Sequence, residues 1–305
     1  MKSIICTNYK FVRNKYDIAL CNRLLWWELA EYINQKHQYS FDTIFSKSAY
    51  YDIHQVLNIP NLNIDNGSNI CNSIIGSSKN LESISIDDLH EILIENKTLN
   101  SEKSYKFNFT FTSISDEVDD RPIRKITLKD EKLKNITNRG RDFLGIHVRR
   151  NAGVTALDDD IKTLPIELQN TYKNLLSKTS YSLSGYKFYS DDLYFRVIEE
   201  ILNIDSNQKF FISHDLTEDF FVYWKERYPN HIYTQNDFTD QYYPDKKIKK
   251  DIFDLFFLSN TPFMITSPNS TWSDFARTYK SKTFWNDVDD NLEQILQNYK
   301  NYKLI

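Results

Sequence analysis

The feature that most constrains this chain is the regular alternation of short apolar runs with helical patterns across its second half. Strands are predicted at Phe143 to Val148, Lys209 to Ser213, His231 to Thr234, Phe263 to Thr266 and Thr283 to Trp285. Between most of them fall predicted helices: Leu193 to Leu202, Glu218 to Arg227, Lys249 to Leu258 and Thr271 to Tyr279, with a last one near Leu292 to Tyr302. Strand–helix–strand repetition predicts an α/β fold with a doubly wound sheet, whose ligands bind outside the carboxyl ends of the strands.

The first half is less regular. Ser3 to Tyr9 reads as a strand and Leu20 to Ile33 as a helix, with Leu25, Leu29 and Ile33 at helical spacing and Trp26 and Ala30 alongside. Phe41 to Phe45 reads as a second strand, and Ser85 with Asp88 as a helix start. Tyr105, Phe107, Phe109 and Phe111 alternate with polar residues, the period of a strand. The polar stretch Ser115 to Arg124 is the expected domain boundary, dividing 1–124 from 125–305. Beyond it a helix is expected near Leu128 to Thr137, with Gly140 as its terminator.

Composition removes several function classes. At 305 residues the chain can bury roughly 75% of its unfolded surface without staples. Three cysteines, Cys6, Cys21 and Cys71, make no disulfide framework and have no zinc spacing. A net charge of -4 argues against general nucleic-acid binding. No apolar run reaches the roughly 18 residues of a membrane span, and the N-terminus lacks a signal-like apolar core. The expected compartment is therefore the cytoplasm.

Three segments carry candidate chemistry. Phe143 to Arg150 is an apolar strand ending in His147, Arg149 and Arg150, which places guanidinium forks suited to phosphate at a carboxyl edge. Taken alone, it also fits an edge strand with solvated arginines. Lys209 to Asp215 is a second apolar strand; Asp215 could accept from a base edge or hydroxyl, or cap the next helix together with Thr217. Asp251 to Ser259 is an acidic-apolar helix, followed by a strand and a turn rich in Ser, Asn and Thr. The helix start at Ser270 and Thr271 would offer N–H donors to a phosphate, or be an ordinary cap.

In order and content these segments resemble the fucosyltransferase superfamily of GT-B glycosyltransferases. His147, Arg149 and Arg150 match its His-x-Arg-Arg motif, Asp215 the acidic residue ending the second strand, and Asp254, Leu258, Ser259 and Ser270 the third motif. Cys21-Asn22-Arg23 resembles the family's first loop before a long helix, without that loop's glycines.

The resemblance implies two Rossmann-like domains with the donor in the cleft: an acceptor-side domain over 1–124 and a nucleotide-sugar-binding domain over 125–305. The implied donor is GDP-fucose and the implied acceptor a glycan or other hydroxyl. Arg149 would hold the pyrophosphate with Arg150, Asp254 and His147 would address guanine, Ser270 and Thr271 phosphate, and Asp215 the nucleoside. Asn22 and Arg23 would line the acceptor or cleft side. Asp158, in the acidic run Asp158 to Asp160, is the expected general base. No metal or other cofactor is implied, since arginine would neutralise the diphosphate, and inversion is expected. Two other readings stay open: a metal-dependent GT-A type enzyme using Asp158 to Asp160, and a non-catalytic nucleotide- or glycan-binding protein.

Overall fold

The computed structural model describes residues 4–6, 20–37, 42–45, 53–64, 73–75, 104–107, 120–149, 181–183, 186–214, 221–239, 247–268, 270–280 and 284–305. The chain forms two compact units, Met1–Glu131 and Lys132–Ile305.

In the first unit, strands β1 (Ile4–Cys6), β2 (Asp42–Phe45), β4 (Leu62–Ile64), β5 (Ser73–Ile75) and β6 (Ser104–Phe107) form a five-stranded sheet in the order β4-β2-β1-β6-β5. Every pairing in it is parallel. Helix α1 (Leu20–His37) follows β1. Its buried residues include Leu20, Leu24, Leu25 and Trp27, but also Glu28 and Glu31, so the inward stripe is not purely apolar. Glu28 is compensated by a two-pronged bond from Arg121: Nε to Oε1 at 2.9 Å and a terminal nitrogen to Oε2 at 2.7 Å. The Ile123 amide donates to the same carboxylate at 3.3 Å. This anchors the 3-10 turn Pro122–Lys125 onto α1. The remaining short elements here are helix α2 (Ile53–Val56) and the antiparallel pair β3 (Leu57–Asn58) and β7 (Thr127–Leu128). Leu128, expected in a helix, thus pairs as strand with Leu57, and helix α3 begins later, over Glu131–Thr137.

The second unit is the more regular. Strands β8 (Leu144–Val148), β11 (Phe210–His214), β12 (Ile232–Tyr233), β13 (Phe263–Thr266) and β14 (Phe284–Asp287) form a sheet in the order β12-β11-β8-β13-β14. All four pairings are parallel. β8 and β13 are buried along their whole length, the expected state of parallel strands covered on both faces. A hairpin, β9 (Tyr181–Leu183) with β10 (Tyr186–Phe188), stands apart from this sheet.

Helices cover both faces. Leu144, Ile146 and Val148 join the core that takes Tyr194, Val197, Ile198 and Ile201 from α4 (Asp191–Ile204), Trp224 from α5 (Val222–Arg227), and Ile295 and Tyr299 from α9 (Leu292–Lys303). The intervening residues Gly145 and His147 meet α7 (Lys247–Asn260) and α8 (Thr271–Tyr279), the short helix α6 (Asn236–Thr239) preceding these two. A Cβ on Gly145 would lie 2.5 Å from Thr261 Oγ1 and 2.6 Å from Leu258 Cδ1, so only glycine lets the end of α7 sit this close to the strand. Gly140 has the same role rather than ending a helix. The chain runs through it as a 3-10 turn, Asn138–Asp142, and an added Cβ would lie 2.5 Å from the Phe257 carbonyl oxygen.

Candidate functional site

The strand order defines where a ligand should sit. From β8 the chain moves outward through β11 to β12, then returns to the other side of β8 for β13 and β14. The order reverses between β8 and β13, and α/β sheets bind ligands in the crevice outside the carboxyl ends at such a reversal. The His-x-Arg-Arg segment ends β8, and the serine-rich turn follows β13, so both flank this point.

One serine ties the two strand ends together. Ser267 Oγ donates to the His147 carbonyl at 2.8 Å and accepts the Arg149 amide at 3.0 Å. It also lies 2.9 Å from the Tyr194 hydroxyl, which reaches from α4. The backbone that carries Arg149 is thereby held by β13, and Arg149 itself is half-buried.

His147 is 4% exposed, with Nδ1 2.8 Å from Ser273 Oγ on α8 and its ring stacked alongside Trp272. Burial first, then the charges of Arg149 and His214, hold its pKa down to about 3. The imidazole is therefore neutral at physiological pH, a hydrogen-bonding group rather than a cation.

Ser213 is paired in register with His147 across β11 and β8. Its hydroxyl donates to Asp254 Oδ2 at 2.5 Å and accepts the Trp272 indole N–H at 3.1 Å. Asp254, 5% exposed on α7, is thus brought to the same edge as His147. Ser270 is the cap residue of α8, buried, with its carbonyl accepting the Asp274 amide at 2.9 Å.

The structure thus gathers His147, Arg149, Asp254 and Ser270 at one carboxyl edge. Thr271 is the first residue of α8, its side chain outside the described residues. Ser259 is fully buried inside α7, with its hydroxyl donating back to the Leu255 carbonyl at 2.7 Å, a helix-internal bond. Arg150, Asp158 and Asp215 lie outside the described residues. Asn22 and Arg23 lie in the first turn of α1, their side chains likewise undescribed. The sequence did not single out Ser213, Ser267, Ser273, Trp272 or Tyr194.

No protein-family model matches the chain, and neither does any curated protein sequence. Solved structures do match. NodZ α-1,6-fucosyltransferase, from crystals soaked with GDP-fucose, is similar over 92% of this chain and 93% of its own, with TM-score 0.51 and 12% identity. A selenomethionine NodZ structure from Bradyrhizobium gives TM-score 0.51 at 11% identity, covering 91% and 92%. POFUT1 in complex with GDP is similar over 94% of this chain and 98% of its own, with TM-score 0.50 and 7% identity. The chain has the α/β fold, with parallel sheets, of these fucosyltransferase structures. No helix among the described residues is long and apolar enough to cross a membrane.

Proposed function

We propose that this chain is a GT-B type fucosyltransferase, transferring fucose from GDP-fucose to a hydroxyl of a glycan or another acceptor, with inversion and without a metal ion. What carries the reading is the convergence of His147, Arg149, Asp254 and the start of α8 at the strand-order reversal, in a fold shared with fucosyltransferases, one of them soaked with GDP-fucose.

The chemistry suits that assignment. Arg149, with Arg150, provides fixed positive charge for the diphosphate, and the first amides of α8 at Ser270 and Thr271 add N–H donors. Asp254 accepts from the donor edge of guanine, beside neutral His147, and Asp215 contacts the nucleoside. The acceptor oxygen attacks the anomeric carbon opposite the leaving diphosphate through an oxocarbenium-like state. The carbon–oxygen bond to phosphate breaks and GDP departs, its growing charge stabilised by the arginines. The acceptor proton passes to the Asp158 carboxylate. Residues 1–124, with Asn22 and Arg23, form the acceptor side, and residues 125–305 hold the donor.

The test is release of GDP from GDP-fucose in the presence of EDTA and a panel of hydroxyl acceptors. Arg149→Ala should lower turnover by roughly 100-fold or more at unchanged melting temperature. Near-normal turnover by that variant would remove Arg149 from the site.

A further inference from the structure

We infer that Ser213, backed by Trp272, sets the nucleobase selectivity of the donor site by fixing the plane of the Asp254 carboxylate. The inference rests on the reading of Asp254 as the group that meets the base. Its starting point is a chain of three side chains from three elements. The Trp272 indole of α8 donates to Ser213 Oγ at 3.1 Å, and Ser213 of β11 donates to Asp254 Oδ2 of α7 at 2.5 Å.

The direction of both bonds is determined by chemistry. An indole nitrogen only donates, so the serine oxygen accepts from Trp272 and its single proton is directed at Asp254 Oδ2. Ser213 is fully buried and Asp254 nearly so, which shields this bond from water. The carboxylate cannot turn about its terminal torsion without abandoning that bond.

A fixed carboxylate plane matters for one class of ligand edge in particular. Guanine presents two parallel donors, the ring N1–H and the 2-amino group, and a coplanar carboxylate can accept both. Hypoxanthine keeps the ring N–H but lacks the amino group, so the preference for GDP over IDP reads the two-pronged geometry directly. A carboxylate released from Ser213 still accepts one N–H but loses the alignment for two. Trp272 acts one step back, holding the serine oxygen so that its proton stays directed at Asp254. Ser213 and Trp272 are positioning residues: they act through Asp254.

The experiment is calorimetric titration of the full chain with GDP and with IDP. The proteins are wild type, Ser213→Ala, Trp272→Phe, Asp254→Asn and the Ser213→Ala/Asp254→Asn double variant. Wild type should prefer GDP by about tenfold, the value of one hydrogen bond to a charged group. Ser213→Ala should reduce that preference to about threefold or less, with Trp272→Phe changing it in the same direction by less. The double variant should show the same ratio as Asp254→Asn alone, because a residue acting through a partner adds nothing once the partner is gone.

A merely structural role would lower the melting temperature and leave the ratio alone. The inference is overturned if Ser213→Ala folds and keeps the wild-type ratio, or if it shifts the ratio equally with Asp254 already replaced. Should Ser213→Ala fail to fold, Trp272→Phe decides, and an unchanged ratio there refutes the proposal. Absence of GDP binding by wild type would instead contradict the donor-site reading itself.

Discussion

Replacing Gly145 with alanine tests how tightly the site's central strand is held. The new Cβ would meet Thr261 Oγ1 at 2.5 Å, Leu258 Cδ1 at 2.6 Å and Thr261 Cβ at 3.3 Å. Relief by moving the strand is costly, because Gly145 is paired on both sides, with Phe211 and with Met264. Relief by turning Thr261 breaks its 2.8 Å bond to the Leu258 carbonyl. The remaining route displaces the end of α7, one turn beyond Asp254. Overpacking of this kind costs about 1–3 kcal/mol. At about 2–4 °C per kcal/mol for a domain of this size, a melting temperature lower by roughly 2–12 °C is expected, about 4–8 °C for the middle of that range. Thermal unfolding followed by circular dichroism measures it, and GDP titration should show weakened binding as Asp254 shifts. Thr261→Ala in the same chain should recover part of the loss, since it removes the nearest colliding atom. An unchanged melting temperature for Gly145→Ala, or an equal loss with Thr261 already alanine, would refute the reasoning.

Two further outcomes follow from buried charge. In the first unit, Glu28→Ala or Arg121→Ala should each cost about 3–5 kcal/mol in denaturant unfolding, because each removes one half of a buried, two-pronged ion pair. Replacing both with methionine should be far milder than either single change, and additive losses would contradict this. At the site, His147 has a folded pKa of about 3, below the ordinary 6.5 of the unfolded chain. The unfolded state therefore takes up the proton first as pH falls. The stability contribution is full above roughly pH 6.5 and is lost progressively toward about 3. Between about pH 7 and pH 5 wild type should lose about 2 kcal/mol more than His147→Gln; identical pH profiles would show that His147 is not buried neutral.

Much of the second unit was legible because local and global signals agree there. Phe263–Thr266 and Thr271–Tyr279 are a strand and a helix with the expected bounds, since a short apolar run flanked by turn residues has few alternatives. Leu128 failed for the opposite reason. A two-residue strand has no period, and its partner Leu57 lies far away in sequence. The burial of Glu28 and Glu31 on α1 carried no signal in the sequence, because it makes sense only once Arg121 and Asn61 are seen to meet them. At the site, strand ends announced His147 and Arg149 through an abrupt change from apolar to basic. Ser259 looked equivalent to its neighbours in the motif, yet helical phase turns its hydroxyl back to Leu255. Ser213 and Ser267 carried no signal, because their roles depend on strand register and on which helix covers which face.

The central claim, that the carboxyl edge of the second sheet holds a GDP-linked sugar, is tested most directly by a thermal-shift panel. The panel comprises GDP, UDP, CMP and their sugar conjugates, each with and without EDTA. A ligand bound only by the native state adds about 2.7 kcal/mol at a hundredfold excess over its dissociation constant. GDP and GDP-fucose are predicted to raise the melting temperature equally well with EDTA present, while UDP and CMP compounds leave it unchanged. A rise confined to UDP-sugars in the presence of a divalent metal, or no rise with GDP, would contradict the account.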